Sequence, residues 1–147
     1  MGHCHGEHPP IRDYGGEPFV FNIEHATSMN TNFRTALWTG SHLQLTLMCI
    51  PIGGDIGVEM HEDTDQFIRV EKGRAKVMFG TCRHTMCEKA TIGEQGAILI
   101  PAGTWHNIVN VGCEPLKLYS LYAPPHHAFG TVNKQKPTDT CDKPSMR

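Results

Sequence analysis

The chain has 147 residues, of which 39% are hydrophobic and 19% charged, and its formal net charge is −2 at pH 7 with histidine counted as neutral. This balance predicts one globular domain with a hydrophobic core and argues against a disordered chain. The weak negative charge provides no basic surface for nucleic acid or an anionic membrane, and no apolar run approaches the roughly 20 residues of a membrane-spanning helix.

The first 17 residues are rich in His, Gly and Pro and predict a polar tail. The opening "MGHCHGEHPP" lacks the apolar segment of a signal peptide, so we expect a cytoplasmic protein whose six cysteines are thiols. A soft-metal site formed by this tail and the thiols of "TCRHTMCE" is an alternative, but the spacing matches no standard zinc finger. The side chains concerned are His3, Cys4, His5, His8, Cys82 and Cys87.

From Pro18 onward, short β-type runs alternate with turns that contain Gly or Pro. The predicted strands are "FVFNI" (19–23), "FRTALW" (33–38), "HLQLTLMCI" (42–50), "GVEMH" (57–61), "QFIRV" (66–70), "AKVMF" (75–79), "AILI" (97–100), "HNIVN" (106–110) and "LKLYSLYA" (116–123). Only "NIEHATSMNTNF" is predicted to hold a helical turn or two. This spacing predicts an all-β sandwich or barrel over residues 18–130, followed by a polar C-terminal tail over 131–147.

The segment "GVEMHEDTDQFIRVEKG" concentrates polar side chains near the middle of the chain. Residues i and i+2 of a strand point to the same face, so Glu59 and His61 are expected side by side, with Met60 on the opposite face. After the turn "EDTD", Gln66 opens the next strand and can return to the same region. A second segment, "GAILIPAGTWHNIVN", places a Pro-Ala-Gly turn shortly before His106, and the turn fixes where that imidazole emerges.

The first of these segments resembles the first sequence motif of the cupin superfamily. That motif runs Gly, five residues, His, one residue, His, three or four residues, Glu, six residues, Gly. Here Gly53 is followed by five residues, then Glu59, one residue and His61. Four residues separate His61 from Gln66, and six more separate Gln66 from Gly73.

The second segment resembles the second cupin motif, which centres on Pro-x-Gly-x-x-His-x-x-x-Asn. This pattern is met by Pro101, Gly103, His106 and Asn110, while the preceding glycine, Gly96, lies one residue nearer the proline than the pattern asks. The resemblance covers roughly residues 33–123. It implies a single-domain double-stranded β-helix, which is a compact jelly-roll barrel, and a homodimer of the kind that small cupins commonly form. The chain is also similar to small cupins sometimes labelled mannose-6-phosphate-isomerase-like.

The resemblance implies four metal-ligand positions, at Glu59, His61, Gln66 and His106. Glu59 stands where a histidine is usual and Gln66 where a glutamate is usual, so the set keeps one carboxylate. Two imidazoles, a carboxylate and an amide oxygen favour manganese or iron(II), with zinc or nickel as alternatives. Gln66 is either the fourth ligand or a group that orients water or substrate, and Asp65 is a less favoured ligand. A metal-free binding cavity is the alternative to the whole site.

The leading functional hypothesis is a metal-dependent enzyme acting on a small oxygenated molecule, with oxygenase or aldose–ketose isomerase chemistry. No residue beyond the ligand positions stands out as catalytic. An isomerase of sugar phosphates needs a cationic clamp in the cavity. Strand parity turns Arg69 away from the face of Gln66, and the sequence does not place Arg34, Lys76 or Lys117. The competing hypothesis is a non-catalytic cupin that binds or senses a small molecule or metal.

Further residues near these segments have structural interpretations. The aromatic residues are expected to pack in the core or at a dimer surface. If Gln66 faces the cavity, Ile68 and Val70 do so too, and the pocket around the polar site is largely apolar. We expect the histidine pair in "APPHHAFG" (126–127), just past the last strand, to lie in an exposed loop. The aromatic residues concerned are Phe67, Trp105, Tyr119 and Tyr122.

Overall fold

The computed structural model describes residues 8–138 of the chain. They contain nine strands and one short helix, joined by turns and loops. They occur in the order α1 (Ile23–Met29), β1 (Arg34–Thr39), β2 (Gln44–Ile50), β3 (Asp65–Lys72), β4 (Ala75–Gly80), β5 (Met86–Ile92), β6 (Ala97–Ile100), β7 (Trp105–Asn110), β8 (Leu116–Ala123) and β9 (Val132–Asn133). Among these residues no helix is long and apolar enough to cross a membrane.

The strands form two antiparallel sheets. The larger sheet has the order β6-β3-β8-β2-β1-β9, and the smaller has the order β5-β4-β7. Both sheets contribute to one buried apolar cluster, which includes Ile68 and Leu118 from the larger sheet and Val77 and Ile108 from the smaller. The predicted all-β, single-domain double-stranded β-helix is confirmed.

Alternating side chains of the larger sheet point into this barrel. Gln66 lies opposite Tyr122, and Val70 lies opposite Leu118. Directly opposed residues of antiparallel strands share a face, and so do residues i and i+4 of one strand. Gln66 therefore points to the same side as the buried Val70. Arg69, between them, is half-exposed and lies 3.2 Å from Glu71, as strand parity predicted.

The other face of the larger sheet is covered by α1 and the chain that precedes it. Asn22 caps this helix by accepting a hydrogen bond from the His25 N–H at 2.9 Å. Ala26 of the helix joins a second buried cluster with Leu37, Leu45, Leu47 and Tyr119. The predicted helical turns are therefore confirmed.

Two predicted strands are absent from the described residues. Residues 19–22 form no strand ladder. Phe19 and Phe21 stack face to face and pack against the second buried cluster instead of pairing with a strand. Residues 57–61 form only an isolated bridge at Glu59. Gly57 takes a φ of 95°, which interrupts the extended backbone. Its N–H donates a hydrogen bond to Asn107 Oδ1.

Two strands were not predicted from the sequence. The strand β5 is almost entirely exposed, so its residues show no apolar alternation. The two-residue β9 pairs with β1 and lies within the segment that the sequence assigned to a polar C-terminal tail. The N-terminal residues His3, Cys4 and His5 of the alternative soft-metal site lie outside the described part of the chain.

Candidate metal centre

An isolated antiparallel bridge brings the two motif segments together. The Glu59 N–H donates to the His106 carbonyl at 3.0 Å, and the His106 N–H donates to the Glu59 carbonyl at 2.9 Å. In such a hydrogen-bonded pair the two side chains point to the same face. The bridge therefore places the carboxylate of the first motif beside the imidazole of the second.

His61 is held in place by the Pro-Ala-Gly turn. Gly103 has a φ of 81°, which L side chains rarely adopt, and in this conformation its N–H donates to the His61 carbonyl at 2.8 Å. The Ala102 N–H of the same turn donates to Asp65 Oδ1 at 2.8 Å. Asp65 is exposed and is occupied by this turn, away from the histidines.

Three donor groups converge at the resulting site. Glu59 Oε1 lies 3.4 Å from His61 Nε2 and 3.4 Å from His106 Nε2. The donor atoms of the three residues all lie within 4.8 Å of one another, so this group can hold a metal ion. Ligands about 2.1 Å from a shared ion are separated by about 3.0 to 3.4 Å, so the two distances of 3.4 Å between the carboxylate and the imidazoles fit such an ion.

The protonation of His106 also suits a ligand. Its Nδ1 lies 2.9 Å from the Thr104 carbonyl oxygen, which can only accept a hydrogen bond, so Nδ1 carries the proton. The lone pair of the neutral ring is then on Nε2, which faces Glu59. Both His61 Nε2 and His106 Nε2 are buried and make no hydrogen bond of normal geometry within the described residues. Buried polar atoms of this kind are rare in folded proteins unless a ligand satisfies them.

The carboxylate of Glu59 is kept in its charged form. In the metal-free protein, burial alone would raise the pKa of Glu59, but hydrogen bonds from the ring nitrogens of His106 and His61, when these rings are protonated, outweigh burial and hold the pKa well below its usual range. Its side chain is 27% exposed, more than either imidazole, so the carboxylate lies at the mouth of the group. An ionised carboxylate with two imidazoles is a ligand type of non-haem iron sites.

Gln66 lies inside the barrel on β3. Its Nε2 donates to Ser120 Oγ at 3.2 Å, whereas its Oε1 is buried and has no hydrogen-bond partner within the described residues. It lies opposite Tyr122, whose ring centroid is 5.8 Å from that of His61. The amide oxygen of Gln66 is thus an unused acceptor in the same interior.

Tyr122 and the histidine pair are site neighbours that the sequence did not assign to the site. Burial, followed by the charge of Glu59, raises the pKa of Tyr122 to about 12. The His126 ring lies 4.0 Å from that of His61, between centroids. Residues 126–127 were predicted to lie in an exposed loop. This is correct for His126, whereas His127 is half-buried, and the contact of His126 with His61 places this loop against the site.

Buried Gln44 explains why this loop stays against the barrel. Its Oε1 accepts hydrogen bonds from the backbone N–H groups of His126 and His127, at 3.1 and 2.8 Å. Its Nε2 donates to the His127 carbonyl at 2.8 Å. The sequence did contain a signal for this role of Gln44. An amide side chain occupies an inward position of β2, most of whose residues are apolar.

The structure also places the cations that the sequence left open. Arg34 is buried and borders the same cleft as Glu59. Lys117 lies on the outer face, where it donates to the Ser28 carbonyl, and Lys76 of β4 is half-buried opposite Val109.

The comparisons with known proteins agree with this architecture. The model of the family described as "Cupin domain" matches residues 46–122. YrkC, an uncharacterized protein of Bacillus subtilis (strain 168), is 53% identical over 86% of this chain and 68% of its own. The crystal structure of BH2720 from Bacillus halodurans is 53% identical, with a TM-score of 0.81 over 86% of this chain and 96% of that one. A Klebsiella pneumoniae protein with a double-stranded β-helix domain shares the fold at 17% identity, with a TM-score of 0.57 over 73% of this chain and 83% of its own.

Proposed function

The chain belongs to the cupin family, and from that membership we propose a metal-dependent enzyme that acts on a small oxygenated organic molecule. The observation that supports this most strongly is the convergence of two buried, unpaired imidazole nitrogens on one ionised carboxylate. We further expect a cytoplasmic homodimer, an expectation that rests on the sequence alone.

Glu59, His61 and His106 would hold the metal, with Gln66 Oε1 as the fourth donor. A divalent metal there supplies Lewis-acid polarisation of a carbonyl or enediol oxygen and, in the case of iron(II), activation of dioxygen. The hard oxygen donors and the small number of imidazoles favour iron or manganese. The Thr104 carbonyl orients the His106 ring, so the donor nitrogen is fixed before any ligand enters.

Oxygenase chemistry is the better match to this donor set, because two histidines and one carboxylate leave open positions on the metal. Isomerase chemistry on a sugar phosphate is the second candidate. The buried Arg34 in the cleft of Glu59 is the observation that favours the isomerase, since an enzyme of phosphosugars needs a cation to bind the phosphate. A non-catalytic cupin that binds or senses a small molecule would share the site but show no turnover.

Turnover that depends on Glu59 is the test of this proposal. The protein would be loaded with iron(II) or manganese(II) and exposed to 2-oxo acids, diketones, enediols and aldose phosphates. Dioxygen uptake and NMR of the products would report the two kinds of chemistry. We expect turnover in the parent protein and its loss in Glu59→Gln.

Glu62→Gln is the matched control, because Glu62 is an exposed carboxylate three residues away. It should retain the full rate. Ligand binding without turnover in the parent protein would contradict the enzyme and support the binding module. Equal rates in both variants would place the chemistry elsewhere.

A further inference from the structure

The side chain of Arg34 points into the barrel beside the candidate metal centre. Arg34 lies opposite Met48 in the register of β1 and β2. Directly opposed residues share a face, and Met48 belongs to the interior apolar cluster. Arg34 is therefore an inward-facing residue, and only 6% of it is exposed.

The buried charge of Arg34 has no acidic partner within residues 8–138. Its Nε makes no hydrogen bond there, and its Nη1 donates only to the neutral Asn133 Oδ1 at a long 3.4 Å. Its guanidinium carbon lies 5.3 Å from the centroid of the Phe33 ring, a contact that neutralises no charge. Burying a cation is costly unless an anion and hydrogen bonds compensate it. The arrangement is that of a cation prepared for an anion that enters from outside.

A cleft joins this cation to Glu59, the ligand at the mouth of the metal centre. Arg34 and Glu59 border the same cleft of about 420 Å³, together with Arg83 and Lys136. Lys136 is already paired with Asp55. Glu59 and Arg34 form no ion pair with each other, and the cleft that both border has room for a small molecule.

We propose that Arg34 binds the carboxylate of a small organic acid whose neighbouring hydroxyl or carbonyl oxygen faces Glu59, His61 and His106. The metal-facing half of this statement rests on the proposed function. The planar donors of a guanidinium match the two oxygens of a carboxylate. The other two cations of the cleft are exposed, and Lys136 is paired with Asp55, so the single buried charge of Arg34 suits a singly charged carboxylate better than a phosphate dianion.

Glycolate and glycolamide are a matched pair of probes, because they differ only in the replacement of the carboxylate by a neutral amide. Each would be titrated into zinc-loaded and into metal-free protein, with backbone amide chemical shifts as the readout, and inorganic phosphate would be titrated alongside. We expect glycolate to bind roughly 10- to 100-fold more tightly than glycolamide, and phosphate to bind less tightly than glycolate.

The variant Arg34→Met should lower the affinity for glycolate to that for glycolamide. Arg74→Met is the control, because Arg74 is exposed in the turn between β3 and β4 and borders no part of the cleft. It should bind glycolate like the parent protein. Equal affinities for the two probes in the parent protein would overturn the proposal without any variant, so it stays testable if Arg34→Met does not fold. Tighter, Arg34-dependent binding of phosphate would overturn the carboxylate in favour of a phosphoester.

The two proposals fail in different ways. If the protein binds no zinc but still prefers glycolate through Arg34, the metal centre is wrong and the anion site stands. If it binds zinc through Glu59 but does not distinguish glycolate from glycolamide, the anion site is wrong and the metal centre stands.

Discussion

Glu59 and His106 share both backbone hydrogen bonds of one antiparallel bridge, and their side chains meet 3.4 Å apart on the face that this bridge defines. The pair is 47 positions apart in sequence (59 and 106) and is the point where the two motif segments meet. Because these backbone bonds fix the positions of both residues and the face that their side chains take, the fold itself brings the carboxylate and the imidazole together.

The turn that supports His61 provides a first prediction. Gly103→Ala forces an L side chain into a positive φ, which should lower the free energy of unfolding by about 1 kcal/mol. Because the Gly103 N–H holds the His61 carbonyl, the variant should also bind metal more weakly. Gly53→Ala is the control, since Gly53 has a φ of 75° and equally open surroundings but no bond to His61. Equal metal affinities in the two variants would contradict this role of the turn.

The buried amide of Gln44 provides a second prediction. Gln44→Leu leaves the backbone groups of His126 and His127 without their partners, so the free energy of unfolding should fall by about 2 to 4 kcal/mol. Hydrogen exchange in residues 126–128 should accelerate first, because these residues lose their anchor. Urea titration and amide exchange measure the two effects. Gln135→Leu, at an exposed position, is the control. An unchanged midpoint in Gln44→Leu would show that the loop is held by other contacts.

The third prediction concerns the pH dependence of stability. Burial, followed by the positive charge of Arg34, lowers the pKa of His127 to about 3, from an ordinary 6.5. Between these values the unfolded chain binds a proton at His127 and the folded chain does not, so stability falls as the pH decreases from 6.5 to about 3. His127→Gln should remove this component, about 2 kcal/mol after allowance for solvent screening.

Urea unfolding of metal-free protein at several pH values measures that slope, and His42→Gln controls for the loss of an imidazole at the surface. NMR titration of the His127 ring protons reports the pKa directly. A His127 ring that titrates near its ordinary value, or a slope equal in the variant and the parent protein, would contradict the prediction.

Gln66 is the subject of a fourth prediction. Gln66→Leu removes a buried acceptor that has no partner within the described residues, so the metal-free variant should lose no more than about 1 kcal/mol of stability, mainly through the bond to Ser120. As the proposed fourth donor its loss should weaken metal binding about tenfold. Isothermal titration with manganese(II) measures this. Unchanged metal affinity with weaker glycolate binding would reassign Gln66 to the organic ligand.

The strand and turn pattern predicted an all-β fold, and the resemblance to the two cupin motifs implied that the motifs meet. Turn residues divide the strands, and the Pro-Ala-Gly turn determines where His106 emerges. The expected position of Glu59 beside His61 is observed for a different reason than the one inferred. Residues 57–61 are not a strand, and the placement comes from the bridge to His106 and from Gly103.

The sequence pattern could not predict that the Arg34 side chain points into the barrel. Its inward direction depends on the register of β1 against β2, and that register shifts at an irregularity between Ala36 and Trp38. A single shifted residue reverses the face of a side chain, so alternation within β1 alone is not informative. The same limit applies to β5, whose exposed residues have no apolar face to reveal the strand.

The metal content of the protein, purified without added metal or an affinity tag, tests the central claim most directly. The parent protein would be compared with Glu59→Gln, His106→Ala and the surface control His42→Ala, with circular dichroism to verify folding. The account predicts about one iron or manganese per chain in the parent protein and control, and the loss of this metal in the two site variants. No metal in the parent protein, or metal retained in both folded site variants, would contradict it.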